Sequence, residues 1–404
     1  MKTLIVSYKY PLPENGGDRI RTMHFVRFFK QKGDVDVMYF HKDPQAVEIG
    51  SPFSNTRYID IYDGNYHKNK LNHYLEKIKY TKPYYLPEYT TEAINKIVNI
   101  IANCNYDYVL CRYAINALPL FFLPKNSNSK VIVDIDDVMT SNLYKTLHAD
   151  HRTIKSITKK LKIIIDQKFA QLYQAKCAKL GKTIICSDMD MVTINKTNDT
   201  SNIFIVPNVV PDFILPYAYN TNGYHNLSTI LFVGNLSYKP NVEGIIWFIK
   251  EVFDRSISDG YQLKLLIAGK EPDPQLRALC NEYKSIELVD SPPVIEPFYD
   301  RCGAVIVPLL GGGGTRIKIL EAGKALRPII STQIGAYGLN LEDYKHVLYF
   351  KDYMTFMEHY LWLQEQNNYR MLTENMNNYV EKNYSIQNFN SAVEKMLKSD
   401  SRIK

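Results

Sequence analysis

The chain has 404 residues, more than one ordinary domain holds, so two domains of roughly 150–200 residues are expected. Its hydrophobic content of 45% and charged content of 23% are typical of a globular protein with a full core and argue against a disordered chain. The net charge of +7 permits an anionic partner without requiring one.

The cysteines and the apolar runs predict the compartment. The six cysteines include no C-x-x-C pair and no histidine at metal-ligand spacing, which indicates reduced thiols and no metal centre. The first residues, MKTLIVSYKYPLP, hold too short an apolar run for a signal peptide and predict a strand. No run of about 18 apolar residues occurs, so no spanning helix is expected. We therefore expect a cytoplasmic protein, with peripheral contact to the inner face of the membrane left open.

Short apolar runs alternate with helical patterns through the first half of the chain. The loop PLPENGGD follows the first run, and a helical pattern begins near Ile20. Strands that alternate with helices indicate a parallel α/β sheet. The predicted strands lie at 3–7, 35–39, 108–111, 130–135, 183–186 and 203–206.

The same pattern restarts after a proline- and asparagine-rich segment at 207–228, which we interpret as a linker. A strand at 229–233 is followed by the loop GNLSYKPN and the helix VEGIIWFIKEVF. The sequence therefore predicts two strand–loop–helix domains in tandem, over residues 1–210 and 211–380. Later strands are predicted at 263–268, 286–289, 304–308 and 328–331.

The segment from His151 to Lys182 is strongly basic, with nine Lys/Arg residues and one acid, Asp166. It predicts either a domain helix with a solvated basic face or a surface that meets anionic lipid or an anionic acceptor. No recognition motif accompanies the charge, so no nucleic-acid partner is expected. Apolar residues mark one face of the predicted helix: Ile154, Ile157, Leu161, Ile164, Ile165, Phe169 and Leu172.

Residues 307–335, VPLLGGGGTRIKILEAGKALRPIISTQIG, place four glycines between a predicted strand and a predicted helix with Thr315 as its N-cap. Arg316 and Lys318 follow in the first turn, where the helix dipole disfavours each cation by roughly 0.3–1 kcal/mol. An anion such as a diphosphate, bound among exposed N–H groups, would explain them; otherwise both side chains turn into solvent. Glu321 either pairs with Lys318 on the surface or reaches hydroxyls beside the phosphates.

The stretch GGGGTRIKILEAGKALRPIISTQIGAYGL resembles the donor-binding signature of retaining glycosyltransferases of family 4, which have the GT-B fold. ILFVGNLSYKPNVEGIIWFIKEVF resembles the first strand–loop–helix of that family's C-terminal domain. VPNVV resembles its interdomain segment, and PLPENGGDRIRTMHFVRFF its N-terminal glycine loop. The resemblance implies an α/β protein of two Rossmann-like domains facing each other across a cleft, with a last helix over 381–404 that crosses back to the first domain.

The resemblance also implies a nucleoside diphosphate sugar as donor, a glycan or lipid-linked acceptor as in cell-surface polysaccharide synthesis, and no metal or other cofactor. Arg316 and Lys318 would hold the diphosphate, with Lys239 as a second candidate, and Glu321 would hold the ribose. The other donor-binding residues implied are Gly16, Gly17, Gly234, Asn235, Gly312, Gly313, Gly314 and Thr315.

This sequence departs from the family pattern at two positions. The family commonly has a glutamate eight residues before Glu321, where this chain has Gly313, and a histidine roughly where this chain has Asp136. An ionised aspartate cannot donate a hydrogen bond. The candidate catalytic residues are Asp136, Asp137 and Lys318. The candidate acceptor-binding residues are Arg21, Arg112 and Tyr113.

Other interpretations use the same residues. VIVDIDDVMT resembles the first motif of haloacid-dehalogenase-type phosphatases, with Asp134 as nucleophile and Asp136 as acid/base with magnesium, and it contains the Asp-x-Asp of metal-dependent transferases. Neither interpretation explains the glycine loop. A nicotinamide dehydrogenase would need the G-x-G-x-x-G that PLPENGGD lacks. A sugar-nucleotide epimerase is a further alternative, because it shares the GT-B fold but acts without an acceptor. A catalytically silent sugar-nucleotide-binding partner would explain the missing histidine and glutamate.

Overall fold

The computed structural model describes residues 1–12, 14, 17–41, 56–62, 89–125, 127–136, 157–195, 202–210, 222–312 and 316–399. The chain divides into two units. The first comprises Met1–Pro207 and Asn390–Lys404, and the second comprises Asn208–Phe389.

Among its described residues, the first unit contains a seven-stranded sheet of order β3-β2-β1-β4-β5-β6-β7, in which neighbouring strands are parallel. The strands are β1 (Lys2–Ser7), β2 (Asp34–His41), β3 (Thr56–Tyr62), β4 (Tyr108–Arg112), β5 (Lys130–Ile135), β6 (Lys182–Ile185) and β7 (Ile203–Ile205). The α-helices are α1 (Gly17–Lys30), α2 (Thr91–Asn103), α3 (Ile157–Ala178) and α4 (Asp188–Asn195).

The described part of the second unit contains a six-stranded parallel sheet of order β10-β9-β8-β11-β12-β13. The strands are β8 (Thr229–Val233), β9 (Lys264–Gly269), β10 (Ile286–Asp290), β11 (Ala304–Val307), β12 (Ile329–Ser331) and β13 (Leu348–Tyr349). The helices are α5 (Asn222–His225), α6 (Lys239–Phe248), α7 (Asp254–Ser258), α8 (Pro274–Asn281), α9 (Glu296–Asp300), α10 (Ile317–Lys324), α11 (Tyr353–Trp362) and α12 (Gln366–Asn383). The last helix, α13 (Ile386–Lys398), begins in the second unit and belongs to the first unit from Asn390 onward.

These sheets confirm the predicted α/β fold class. The central strands are continuous apolar runs, as expected where helices cover both faces of a parallel sheet. In β4, for example, Val109, Leu110 and Cys111 are all buried. The strands predicted at 130–135 and 229–233 have the observed bounds, whereas β3 and β13 were not predicted.

Helix starts follow local sequence signals. Asp352 caps α11, because its side chain accepts from the Thr355 N–H at 2.9 Å while the Thr355 hydroxyl reaches back, a capping box. Helix α6 begins at Lys239, three residues before its predicted start at 242, because Pro240 is compatible with the first turn of a helix. A π-helical turn, Ile249–Phe253, continues α6 into α7.

Helix α3 is confirmed within the basic segment, but its orientation differs from the predicted apolar face. The residues that pack into the core are Ala170, Tyr173, Gln174 and Cys177. Ile164, Ile165 and Leu172 are instead 53%, 54% and 41% exposed. Ile154 and the side chains of Ile157 and Leu161 lie outside the described residues. Within the described part of the chain, the helices are too short or too polar to cross a bilayer.

Each sheet has one point at which the strand order reverses. In the first unit this point lies between β1 and β4, and in the second unit between β8 and β11. Open parallel sheets bind ligands outside the carboxyl ends of the strands at such a point, because the two outgoing loops diverge there. A ligand site is therefore expected at the loops that follow β1 and β4 in the first unit and β8 and β11 in the second.

Candidate functional site

In the second unit, the loops after β8 and β11 lead into α6 and α10, so two helices begin beside the point of strand reversal. Helix α10 begins at Ile317, and Arg316 occupies its N-cap position without a side-chain capping bond. The predicted N-cap, Thr315, lies outside the described residues. The helix ends at Lys324 rather than at Leu326, whose positive φ of 55° ends the helical path.

Lys318 lies in the first turn of α10, and its ammonium group is held by neutral groups. The Nζ atom donates to Asn241 Oδ1 at 3.0 Å and lies 4.4 Å from the centroid of the Phe232 ring. Burial is the main cause that lowers the pKa of Lys318 to about 7, and the neighbouring charge of Arg316 lowers it further. The structure thus holds a cation at a helix start where solvent stabilises it poorly.

Gly234, at the end of β8, makes this placement possible. A Cβ atom at Gly234 would lie 2.8 Å from Lys318 Nζ and 2.8 Å from Asn241 Nδ2. The Asn241 amide donates to the backbone carbonyl of Asn235 at 2.8 Å, which orients its oxygen toward Lys318. Gly234 and Asn241 therefore fix the position of the ammonium group.

Arg316 lies beside the same loop and is only 7% exposed. Its Nη2 atom donates to the carbonyl of Gly311 at 3.3 Å. Gly312 has a φ of +95°, which favours glycine, and a Cβ there would lie 3.2 Å from Arg316 Nη2. Arg316 is buried and Lys318 is half-buried, so the alternative in which both side chains turn into solvent does not describe this structure.

Glu321 is on the same helix, one turn beyond Lys318. Its Oε2 atom accepts from the hydroxyl of Tyr299 at 3.0 Å. Burial raises the pKa of Glu321 to about 6, an effect that the Tyr299 hydrogen bond and the charge of Lys318 oppose. The carboxylate is thus anchored by a tyrosine inside the unit, which neither sequence interpretation of Glu321 included.

Two other predicted donor residues lie on exposed surface. The side chain of Lys239 is 82% exposed, and its Nζ pairs with Glu243 Oε1 at 3.3 Å. Asn235 uses its Oδ1 within its own turn, where it accepts from the N–H and the hydroxyl of Ser237 at 2.9 and 2.8 Å. Both residues border the loop after β8, but neither contacts Lys318.

At the corresponding edge of the first unit, charged side chains form a buried network. Arg21, from α1, donates to both carboxylate oxygens of Asp134 at 3.0 Å and to the carbonyls of Val206 and Pro207. Arg112, at the end of β4, donates to Asp134 and, at 3.1 Å, to Asp136 Oδ2. Arg21 is 2% exposed and Arg112 is 0% exposed.

This burial bears on three predicted roles. The guanidinium groups of Arg21 and Arg112 are buried and bonded inside the network, so either would have to leave Asp134 to contact an acceptor, and their acceptor-binding roles stay predictions. Asp134, the nucleophile of the phosphatase interpretation, is fully buried between them, which leaves a substrate no access. The two arginines are placed to neutralise and orient the two aspartates.

Asp136 and Tyr113 lie at the partly exposed end of this network. Burial opposes ionisation of Asp136, but Arg112 and Arg21 outweigh it and lower its pKa below the ordinary value. Cys186 Sγ also lies 3.1 Å from Asp136 Oδ1. Tyr113 has a φ of +66°, unusual for a bulky residue, and the Arg112 guanidinium lies 4.8 Å from its ring centroid. Asp136 is therefore an ionised carboxylate that can only accept hydrogen bonds.

Several predicted site residues lie outside the described part of the chain, and two residues that contact the site were not predicted. Gly17 is exposed at the first position of α1. Asn241 and Tyr299 contact predicted site residues, but no motif in the sequence identified them. In the ranges that the structure describes, no three His, Cys, Asp or Glu side chains cluster as metal ligands would. The predicted residues that lie outside are Gly16, Asp137, Gly313, Gly314 and Thr315.

Comparison with known protein families gives a match within the second unit. Residues 228–366 match the family model described as "Glycosyl transferases group 1". The matched segment contains all the site residues of the second unit described above. The match supports glycosyl transfer as the class of reaction.

Similarity to individual proteins extends over nearly the whole chain. A Klebsiella pneumoniae protein described as "Uncharacterized 44.6 kDa protein in cps region" is 24% identical, over 97% of this chain and 98% of that protein. Sucrose-phosphate synthase from Thermosynechococcus elongatus matches with a TM-score of 0.72 and 13% identity, over 98% of both chains. HepE from Anabaena, solved with UDP and glucose, matches with a TM-score of 0.65 and 10% identity, over 99% of this chain and 100% of that chain. At these identities the structural likeness shows the fold, which is GT-B.

We predict that Asp134→Ala strongly destabilises the protein. It removes the shared anion of two buried arginines, and an uncompensated buried charge costs about 3–5 kcal/mol. The measurement is the urea midpoint of unfolding. Asp290→Ala is the matched control, because Asp290 pairs with Arg277 on an exposed surface, where the midpoint should stay near that of the unaltered protein. Equal midpoints for the two variants would contradict the structural role of the network.

Proposed function

We propose that the protein is a glycosyltransferase that moves a sugar from a nucleoside diphosphate sugar to a glycan or lipid-linked acceptor. The observation that carries the proposal is the pair of cations, Arg316 and Lys318, at the start of α10. They lie beside Gly312 and Gly234 at the point of strand reversal, within the segment that matches group 1 glycosyl transferases.

The chemistry of the leaving group fits this arrangement. When the bond between sugar and phosphate breaks, negative charge develops on the departing nucleoside diphosphate. Fixed cations in a water-poor site stabilise that charge at little reorganisation cost, which lowers the barrier. Lys318 is half-buried and Arg316 is buried, so their attraction to a diphosphate is screened less than it would be on an open surface.

We assign the remaining donor contacts by position. Glu321, one turn after Lys318, would accept hydrogen bonds from the ribose hydroxyls. Lys239, whose side chain is exposed at the start of α6, would be a second phosphate contact only if it left Glu243. The choice of a nucleoside diphosphate is supported by HepE, which was solved with UDP and glucose.

Three further features of the reaction are proposals. A retaining outcome rests on the resemblance of the glycine loop and α10 to family 4. We propose that no metal is required, because Arg316 and Lys318 supply positive charge at the diphosphate. A role in surface polysaccharide synthesis is supported by the Klebsiella relative, whose description places it in a cps region.

In the first unit, we propose that Asp136 accepts a hydrogen bond from an acceptor hydroxyl. Its carboxylate is partly exposed, and the neighbouring arginines keep it ionised. An ionised carboxylate can orient a hydroxyl and weaken its O–H bond, but it cannot act as a general acid. Tyr113 stays a candidate acceptor contact beside it.

One observation favours a second candidate, a sugar-nucleotide-binding protein without turnover. The position where family 4 commonly has a histidine holds Asp136, and two arginines engage this aspartate. Incubation of the purified protein with sugar nucleotides and lipid-linked acceptors separates the candidates. Sugar transfer supports the enzyme, and binding without transfer to any acceptor supports the partner protein.

We also propose that α3 contacts an anionic membrane surface. Ile164, Ile165 and Leu172 are exposed on the side of the helix opposite its buried residues, and the exposed Lys168 and Lys176 lie among them. An apolar face interleaved with lysines matches the chemistry of a bilayer that contains acidic headgroups. Such contact would bring the protein to a lipid-linked acceptor.

We predict that Lys318→Ala weakens binding of UDP or GDP by more than about tenfold. The variant loses a charge-assisted interaction with the diphosphate worth roughly 1.5–3 kcal/mol. Isothermal calorimetry measures the affinity. Lys324→Ala is the control, because Lys324 lies on the same helix and pairs with Glu381. Unchanged affinity for Lys318→Ala, or an equal loss for Lys324→Ala, would refute the assignment.

We predict that nucleotide affinity falls as the pH rises from about 6.5 to 8.5. Lys318 has a pKa of about 7 without ligand, and a bound diphosphate favours its charged form. Below pH 7 the cation is already present, whereas above it binding must take up a proton, so affinity declines by as much as about tenfold per pH unit. Calorimetry across this range should show the decline in the unaltered protein and a flatter profile in Lys318→Ala. Parallel profiles would show that another group is responsible.

We predict that the protein binds vesicles of phosphatidylcholine with phosphatidylglycerol more tightly than vesicles of phosphatidylcholine alone. Co-sedimentation should show a loss of more than about tenfold for Lys168→Glu/Lys176→Glu, since each basic residue contributes about 1 kcal/mol near an anionic surface. Ile164→Ser/Ile165→Ser/Leu172→Ser should also weaken binding. Met354→Ser/Leu361→Ser, at exposed apolar positions of α11, is the control. Equal binding to both vesicles, or to neither, would refute the proposed surface.

A further inference from the structure

Tyr299 connects the core of the second unit to the carboxylate proposed to hold the ribose. It lies on the short helix α9, before β11, and its side chain is 1% exposed. The ring packs with the core that contains Ile319 and Leu320 of α10. Its hydroxyl donates to Glu321 Oε2 at 3.0 Å. A buried residue that directs its one polar group to a half-buried carboxylate fixes that carboxylate in space.

A second buried residue holds this pair together. Arg327 is 2% exposed, and its Nε donates to the backbone carbonyl of Tyr299 at 2.7 Å. Its Nη1 donates to the carbonyl of Ala325 at 3.0 Å, just past the end of α10. The backbone of α9 is thereby tied to the C-terminal end of the helix that carries Glu321. Tyr299 and Glu321 cannot separate without breaking buried hydrogen bonds.

The hydrogen bond also acts on the charge of Glu321. Burial and the nearby Glu296 raise the pKa of Glu321, while Lys318 and the Tyr299 hydroxyl lower it. Burial and Glu321 itself raise the pKa of Tyr299 well above its ordinary value, so the tyrosine remains protonated and remains the donor. Loss of the hydroxyl would move Glu321 toward its neutral form near pH 7.

We infer that Tyr299 is a positioning residue that holds Glu321 as an oriented, ionised acceptor for the ribose hydroxyls, and so sets a preference for ribonucleotides over 2′-deoxyribonucleotides. This inference rests on the proposed function. Because Tyr299 anchors Oε2 of Glu321, the direction of Oε1 is fixed. A nucleotide that lacks the 2′-hydroxyl would leave this carboxylate without one hydrogen-bond donor. Sites built to bind a hydroxyl discriminate against ligands that lack it.

The test compares the affinities of UDP and 2′-deoxy-UDP at pH 7 by calorimetry, with GDP and 2′-deoxy-GDP as a second pair. We expect the unaltered protein to favour the ribonucleotide by about tenfold or more. Tyr299→Phe keeps the ring and should reduce the preference to within about twofold, as should Glu321→Gln. Tyr369→Phe is the matched control, because the Tyr369 hydroxyl is also buried and donates to the Gly303 carbonyl at 3.0 Å. Its preference should be unchanged.

A pH series separates positioning from a purely structural role. In Tyr299→Phe the preference should recover in part toward pH 8.5, where Glu321 ionises without the help of the hydroxyl but is still not oriented by it. The titration of Lys318 affects both nucleotides and cancels in the ratio of their affinities. Recovery of the ratio supports the inference.

Three outcomes would overturn it. The first is that the unaltered protein shows no preference for the ribonucleotide. The second is that Tyr299→Phe keeps the preference at full affinity. The third is that Tyr299→Phe loses affinity for both nucleotides by the same factor. If the unaltered protein binds none of the four nucleotides, the proposed function itself fails, and this inference fails with it.

Discussion

A lysine ammonium held by neutral groups at the start of a helix is the interaction on which the proposed site depends. Lys318 Nζ rests against the Asn241 amide oxygen and the Phe232 ring, and the absence of a side chain at Gly234 leaves it room. The helix dipole, burial and Arg316 all disfavour positive charge at this point. We propose that a bound diphosphate offsets these penalties, because it would bring negative charge into a site that already contains the cations.

The two units handle buried charge in opposite ways. In the first unit, Arg21 and Arg112 are balanced by Asp134 and Asp136, so the network is close to neutral and its charges bond one another. In the second unit, the acid nearest in sequence to Lys318 in its helix is Glu321, which is anchored by Tyr299. A balanced network stabilises a sheet edge and orients an exposed carboxylate. At Lys318, by contrast, burial and Arg316 oppose the positive charge more strongly than Glu321 favours it, so the charge is poorly compensated. This difference is why we propose the donor site in the second unit and an acceptor contact in the first.

The sequence predicted the parallel α/β class and most strands, because apolar runs separated by glycine loops are local signals. It did not predict β3, whose TRYIDIY alternates at the edge of its sheet, or the two-residue β13. It could not predict the Tyr299–Glu321 bond, because the two residues are 22 positions apart and no periodicity joins them. It could not predict the burial of Arg21 and Arg112 for a related reason: an arginine in a helix or at a strand end predicts a charge there, but only the fold shows that Asp134 on β5 pairs with both.

A crystal structure of the protein with a saturating nucleoside diphosphate, UDP or GDP, tests most directly whether Lys318 and Arg316 bind the diphosphate. We expect density for the diphosphate at the start of α10, within hydrogen-bonding distance of Lys318 Nζ and the Arg316 guanidinium. Nucleotide bound elsewhere in the second unit, with Lys318 still bonded to Asn241 alone, would contradict it.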